Sequence, residues 1–277
     1  MGQDQFPCFR QRSGFSDFYA YNDVEIVIAI LKSCYLIIHR RQLMFGAPQQ
    51  TSYDVRFVLF RIPVSITPFF WIIGAILAYD LAFDKRSNQL DPLTFVAAIL
   101  AILISILVHE LGHALVIRYI FGASTMIFLH GLGGVAVHNR PYYYRTPRRL
   151  GRIFISLAGP LAGFLLTALC VIVLWNTQEV IVSGSHLWHF LNIIIFICIF
   201  WGVINLLPVY PLDGGQIFRE ICLQVSQRYG MEVSAGVSAA TAILLAILFF
   251  QCGEHFVVLL FGVLAWQSIQ MLQTRRF

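Results

Sequence analysis

Charged side chains are scarce in this 277-residue sequence: Asp, Glu, Lys and Arg together make up 12% of it, against 58% for hydrophobic residues. A soluble domain normally carries about twice that fraction of charge, so an ordinary water-soluble fold is excluded. Proline is also scarce, with 10 residues against 24 phenylalanines, which excludes disordered and collagen-like chains. The composition predicts a membrane protein that crosses the bilayer several times.

The cysteine and lysine content excludes further classes. The six cysteines contain no CxxC pair, so neither a disulfide framework nor a thiolate metal site is expected. Lysine occurs only at Lys32 and Lys85, and the other basic residues are arginines beside apolar segments. Membrane topology explains arginines in these places better than a phosphate-binding groove does, so no nucleic acid partner is expected.

The chain divides into a polar N-terminal region, 1–57, and an apolar remainder, 58–277. Within the first part, residues 24–38 are apolar with a helical period, but about twenty such residues are needed to cross a bilayer. We therefore expect a cytoplasmic N-terminal region with an interfacial helix at 24–38. The remainder is predicted to be an all-α polytopic membrane domain with about six transmembrane helices. The predicted spans are 69–83, 93–119, 153–175, 187–207, 233–250 and 256–271.

Two segments predict short membrane-associated β-strands. Arg61–Thr67 alternates in polarity, and because Pro63 cannot donate within a central ladder, we expect an edge strand there. The glycine-dotted stretch 121–137 is too broken for a spanning helix. Strands at this depth are tolerated only where protein or a watery cavity covers them.

Orientation follows from the basic residues. With the N-terminus in the cytoplasm, every lysine and arginine except Lys85 and Arg86 falls on the cytoplasmic side, as the positive-inside rule requires. We therefore expect both termini to be cytoplasmic. No organellar or secretory signal is recognised, so a bacterial plasma membrane is the expected location.

The motif His109-Glu110-Leu111-Gly112-His113 lies in the second predicted span. Histidines at i and i+4 share one helical face, so both imidazoles can reach one Zn²⁺, and Glu110 can take a proton from water that the metal activates. Ionisable residues inside an apolar span are costly and usually functional. The alternative is a buried polar trio that only bonds neighbouring helices.

A catalytic zinc site needs a third protein ligand. Asp213 is the best candidate, because the topology places it, like His109 and His113, in the cytoplasmic half of the membrane. The neighbouring prolines and glycines allow its backbone to turn into the bundle. His130 and His138 are rival ligands, although neither shares a helical face with another ligand.

Three ordered motifs resemble the site-2 protease family of intramembrane zinc metalloproteases. They are the HELGH sequence at 109–113, SLAGPLAG at 156–163 and NLLPVYPLDGG at 205–215. The opening RIPVSITPFF and the GLGG segment are also similar to that family, so the likeness covers about 58–230. No inserted PDZ module and no CBS pair are recognised.

The resemblance implies His109, His113 and Asp213 as ligands of one Zn²⁺ and Glu110 as the catalytic base. It also implies that Asn205 lies near the scissile carbonyl, where an amide could stabilise an oxyanion. Gly159 and Gly163 form a ridge of small residues that would let the third span approach the metal-bearing helix closely.

The expected function is hydrolysis of peptide bonds in or next to transmembrane segments of membrane protein substrates, with the lipid bilayer as the setting. A substrate must be extended before attack, and strand addition to Arg61–Thr67 or to the HGLGG region would hold it so. The residues expected to bind it are Val64, Gly131, Leu132, Gly133 and Gly134. Two alternatives use the same ligands: a zinc-binding membrane transporter, and a membrane protein that binds clients without cutting them.

Overall fold

The computed structural model describes residues 51–84, 89–131, 133–139, 147–177, 181, 184–253 and 255–273. The predicted interfacial helix at 24–38 lies outside the described residues. The helices are α1 (Pro68–Ala82), α2 (Pro92–Leu115), α3 (Arg149–Asn176), α4 (His186–Asn205), α5 (Asp213–Val225), α6 (Gly230–Gln251) and α7 (His255–Gln273). One turn of π-helix, Val116–Ile120, continues α2.

Four helices in the described part of the chain are long and apolar enough to cross a membrane: α2 with its π-helical extension, α3, α4 and α6. Two further apolar helices, within α1 and α7, are shorter. Each segment predicted as a span contains a helix, and the polar and apolar residues of 213–225 form a further, amphipathic helix, α5. The chain is an integral membrane protein with a mostly helical fold.

Local sequence sets where the helices begin. Pro68 opens α1, where its missing N–H costs no hydrogen bond. Asp91 caps α2: its carboxylate accepts hydrogen bonds from the Leu93 amide (3.2 Å) and the Thr94 hydroxyl (2.5 Å). The hydrogen bond from Thr94 holds the pKa of the Asp91 carboxyl below its ordinary value. The same carboxylate lies 3.1 Å from Nδ1 of His186, so it also joins the start of α2 to the start of α4.

Four strands form a small mixed sheet against the helices, in the order β1 (Val55–Leu59), β2 (Ile62–Ile66), β5 (Ser124–His130), β6 (Gly133–Asn139). A separate pair, β3 (Phe83–Asp84) and β4 (Gln89–Leu90), connects α1 to α2. The strands at 121–137 are confirmed. The predicted boundary between residues 57 and 58 falls inside β1.

The prediction of an edge strand at Arg61–Thr67 is wrong. Strand β2 pairs antiparallel with β1 on one side and parallel with β5 on the other. Its pairing with β5 begins at Val64, opposite Ile127, so Pro63 precedes the parallel ladder and its missing N–H breaks no bond there. Val64 is buried in the core. In the described part of the chain, the outer strands are β1 and β6.

Helix α2 lies at the centre of the fold, in contact with α1, α3, α4 and strands β5 and β6. Its buried face joins β2 and β5 in one hydrophobic cluster that includes Ile62, Ile66, Ile102, Ile106 and Ile127. The crossing with α3 is tight, because a methyl group at Gly112 would collide with the carbonyl of Ala158. Small residues are the usual means by which membrane helices approach so closely.

The first prediction concerns that crossing. Gly112→Ala should lower the free energy of unfolding by about 1–3 kcal/mol, because the added methyl has only rigid backbone and Ala162 to displace. Gly74→Ala is the matched control: nothing lies near its added methyl, so the change should be neutral or stabilising by up to about 1 kcal/mol. Denaturation of both variants in mixed micelles measures the difference, and equal stabilities would contradict the tight crossing.

Candidate metal centre

Helix α2 presents two imidazoles to one point. His109 and His113 are one helical turn apart, so their side chains leave the same face. Their Nε2 atoms lie 3.3 Å apart. Both residues are buried, with exposed fractions of 5% and 9%.

Asp213 reaches the same point from a different element. It is the first residue of α5, at the end of the loop that follows α4. Its Oδ2 atom lies 3.2 Å from His109 Nε2 and 3.3 Å from His113 Nε2. The structure therefore brings together three residues that the sequence analysis singled out, and in the described part of the chain they form the group that could hold a metal ion.

The geometry of these three atoms fits Zn²⁺. Tetrahedral zinc with bonds of about 2.0–2.1 Å separates its ligand atoms by about 3.3 Å, which matches all three edges of the triangle. Asp213 Oδ2 is buried and, among the described residues, has no hydrogen-bond partner of acceptable geometry. A cation between these electron-rich atoms would satisfy them all, and two imidazoles with one carboxylate is a ligand set of catalytic zinc.

The second nitrogen of His113 fixes the orientation of that ring. Nδ1 lies 2.7 Å from the carbonyl oxygen of Ile155 on α3. Because a carbonyl oxygen can only accept, Nδ1 must carry the proton, which leaves the lone pair of Nε2 directed at Asp213 and His109. Such a hydrogen bond on the far side of the ring is usual for histidines that bind metal.

Helix α3 leaves room for the imidazoles at Gly159. A methyl group there would collide with Nε2 of His113 and also crowd Nε2 of His109. Gly163, one turn further on, has only ordinary contacts with Cys198 of α4. The two glycines of the ridge therefore differ: Gly159 faces the candidate metal centre, whereas Gly163 faces a neighbouring helix.

Helix α5 is also attached to α3 about two turns after Asp213. The Glu220 carboxylate is buried and lies 2.8 Å from Nη2 of Arg152 at the start of α3, with Arg219 at 3.4 Å. Arg149 donates a further hydrogen bond to the carbonyl of Leu223. These contacts fix the direction of α5, whose first residue is Asp213.

Glu110 lies beside the triangle, against strand β6 of the sheet. Its side chain is buried, and a methyl group at Gly134 of β6 would collide with it. Gly133 faces Trp201 of α4 at 3.8 Å. Asn205, the last residue of α4, donates from its amide to the Trp201 carbonyl at 2.9 Å.

The remaining residues predicted for the site are Val64, Gly131, Leu132, His130 and His138. Val64 is in the interior strand β2, away from a free edge, and Gly131 is at the turn between β5 and β6 with a positive φ of 51°. Leu132 lies outside the described residues. His130 and His138, the rival ligands, do not belong to the metal-binding group of the described residues.

Sequence reasoning missed two contributors. The Ile155 carbonyl had no signal, because every residue carries one and only the fold selects which lies near His113. Gly112 stood inside the HELGH motif, but its use as the contact point with Ala158 depends on the path of α3.

Comparisons with known proteins identify a family and several relatives to which this chain is similar. The model of peptidase family M50 matches residues 97–249. A zinc metalloprotease of Methanocaldococcus jannaschii is 26% identical over 222 residues, covering 80% of this chain and 57% of that protein. Stage IV sporulation protein FB of Bacillus subtilis is 29% identical over 184 residues, covering 62% of this chain and 53% of that protein. The chain thus spans just over half the length of these curated relatives.

The fold also resembles a solved structure. The site-2 protease from Methanocaldococcus jannaschii aligns with a TM-score of 0.52 at 22% identity, over 79% of this chain and 95% of that chain. At this level of identity the likeness concerns the fold alone.

The second prediction uses the two glycines of α3. Gly159→Ala should weaken zinc binding by about 10- to 100-fold, because its methyl would displace both imidazoles. Gly163→Ala, one turn away, should keep the zinc content of the wild type. The measurement is zinc per chain after dialysis against a chelator, with thermal unfolding to verify that both variants are folded. Full zinc in Gly159→Ala would contradict the close contact between Gly159 and the two imidazoles.

Proposed function

The chain belongs to peptidase family M50, the zinc metalloproteases, and we propose that it is an intramembrane endopeptidase that cleaves transmembrane proteins in or next to their membrane segments. The observation that carries the proposal is the buried triangle of His109, His113 and Asp213, whose edges match one zinc ion. The helices long enough to cross a membrane contain two of these residues, so the chemistry would take place within the bilayer's depth.

The topology is part of the proposal. Six passes would combine the four long helices with the shorter apolar helices in α1 and α7. Both termini would then face the cytoplasm of a bacterium, with residues 1–57 as a cytoplasmic region and 58–277 as the metalloprotease domain. The distribution of arginine supports this orientation.

His109, His113 and Asp213 would hold one Zn²⁺ per chain. When bound there, the ion supplies Lewis acidity, which polarises the scissile carbonyl and makes water more acidic. Glu110 acts as the general base: its carboxylate takes a proton from the attacking water as the new C–O bond forms. It then gives that proton to the amide nitrogen as the C–N bond breaks.

The surroundings of Glu110 support this role. The buried position keeps bulk water away from the carboxylate, and Gly134 leaves space for it against β6. Asn205 would donate its amide to the developing oxyanion. In the resting geometry that amide bonds the Trp201 carbonyl, so it would have to turn from there to the substrate.

A substrate would be held extended along the outer edge of β6. Among the described residues no strand pairs with that edge, and Gly134 of the same strand lies against Glu110. A segment added there would place its backbone beside the base, with Gly133 and Trp201 on the adjacent wall. Strand β2 is unsuitable, because β1 pairs with its whole length on one side and β5 pairs with residues 64–66 on the other.

The third prediction tests the base. Glu110→Gln keeps the size of the side chain but removes its basicity, so cleavage of a transmembrane reporter should fall by about 10²- to 10⁴-fold. Zinc content should be unchanged, because Glu110 is not among the three converging ligands. Purified wild type and variant are compared for both properties. Equal cleavage would eliminate Glu110 as base, and zinc binding without cleavage by the wild type would favour a transporter or a client-binding protein.

The fourth prediction tests strand addition. Cysteine at position 137 on β6 should form disulfide adducts with cysteines placed along a transmembrane substrate, in an alternating pattern that reports an extended chain. Cysteine at position 64 on the interior strand β2 is the matched control and should give none. The parent chain, with its native cysteines, sets the background. Adducts at 64 but not at 137 would refute pairing at β6.

A further inference from the structure

The loop 206–212 leads into Asp213 at the metal centre. It is held in place by helices that supply no metal ligand. Val209 in this loop is completely buried against Phe261 and Leu264 of α7 and Ala242 of α6. The backbone N–H of the next residue, Tyr210, donates to Oγ of Ser238 on α6 at 2.7 Å. One face of the loop therefore packs on apolar side chains and its backbone is bonded to a hydroxyl.

That hydroxyl belongs to a hydrogen-bonded chain whose direction is fixed. Ser268 Oγ on α7 donates to the Leu264 carbonyl at 2.9 Å, since a carbonyl can only accept. With its one proton used, Ser268 must accept from Ser238, whose Oγ lies 2.7 Å away. Ser238 thus donates to Ser268 and accepts from Tyr210. Each of the three protons in this series of hydrogen bonds has one acceptor.

The bonding of Ser238 differs from that of most serines in membrane helices. Such a hydroxyl commonly bonds the carbonyl four residues earlier in its own helix, as Ser268 does with Leu264. Ser238 instead uses both of its bonds on other elements, the loop and α7. Both serines are almost fully buried, with exposed fractions of 1% and 0%, so water does not substitute for either partner.

The loop is in direct contact with the helical turn that begins at Asp213. A methyl group at Gly215 would collide with the backbone of Val209 and crowd the Tyr210 nitrogen, and one at Gly214 would collide with the Leu206 carbonyl. In addition, the Gln216 side chain donates to the Pro211 carbonyl at 3.1 Å. A shift of the Tyr210 amide would therefore move the first turn of α5 and the carboxylate it carries.

We propose that Ser238, supported by Ser268, is a positioning residue for the metal ligand Asp213. The serine chain anchors the ligand-bearing loop to the α6–α7 pair, so the carboxylate is preorganised against the two imidazoles before a metal ion binds. This inference rests on the proposed metal centre and adds to it a second layer of residues, of which Ser268 lies beyond the stretch matched by the family model.

The fifth prediction measures zinc affinity of the full chain in detergent by competition with a chelator. Ser238→Ala should weaken binding by about 10- to 100-fold, the usual effect of losing a residue that orients a metal ligand. Ser268→Ala leaves the acceptor of the Tyr210 amide in place and should weaken binding less. Ser234→Ala is the matched control, equally buried one turn earlier on α6, and should bind as the wild type does. Thermal unfolding of each variant reports any general loss of stability.

A double-mutant cycle decides whether Ser238 acts through Asp213. In an Asp213→Asn background, Ser238→Ala should change zinc affinity by less than about twofold, because the ligand that it positions is already lost. An undiminished effect in that background, or equal behaviour of Ser238→Ala and Ser234→Ala, would overturn the proposal. If Asp213→Asn binds zinc as tightly as the wild type, the proposed metal centre itself is wrong. If Ser238→Ala does not fold, the same cycle with Ser268→Ala gives the answer.

Discussion

Three electron-rich atoms, the Nε2 atoms of His109 and His113 and Oδ2 of Asp213, are held 3.2–3.3 Å from one another inside the protein. Their lone pairs repel in a medium of low dielectric constant unless a cation lies between them. The surrounding structure must therefore impose this arrangement. Several close contacts of this surrounding structure lie around the three side chains.

Glycine supplies the space for those contacts. Gly112 lets α2 and α3 cross closely, Gly159 makes room for the imidazoles, and Gly134 does the same for Glu110. Each belongs to a different element. A side chain at Gly159 would displace the imidazoles, one at Gly134 would displace Glu110, and one at Gly112 would push α2 and α3 apart.

The metal ligands come from two elements that are supported differently. The histidines are on the central helix α2, which is packed on several sides. Asp213 is at a helix start after an irregular loop, which needs added anchors: the Arg152–Glu220 ion pair on one side and Ser238 on the other. Irregular backbone within a membrane protein is stable only where its polar groups are satisfied by protein in this way.

Local patterns in the sequence were sufficient for much of the structure. Apolar runs located the helices, Asp91 and Pro92 located the start of α2, and the i, i+4 spacing placed two histidines on one face. The predicted topology and depth of the helices also indicated Asp213 as the third metal ligand. These properties depend on neighbours along the chain or on the bilayer, both of which a sequence records.

Only the tertiary structure decided which strand edge is open and which carbonyl orients His113. Pro63 suggested an edge strand, because a proline in a central strand lacks the N–H for a ladder hydrogen bond. The ladder between β2 and β5 begins at Val64, however, so no hydrogen bond from the Pro63 nitrogen is needed. The two serines that hold the loop before Asp213 lie on separate helices, and nothing in either helix marks them as partners. Such pairings depend on distance in space between remote segments, which local periodicity does not encode.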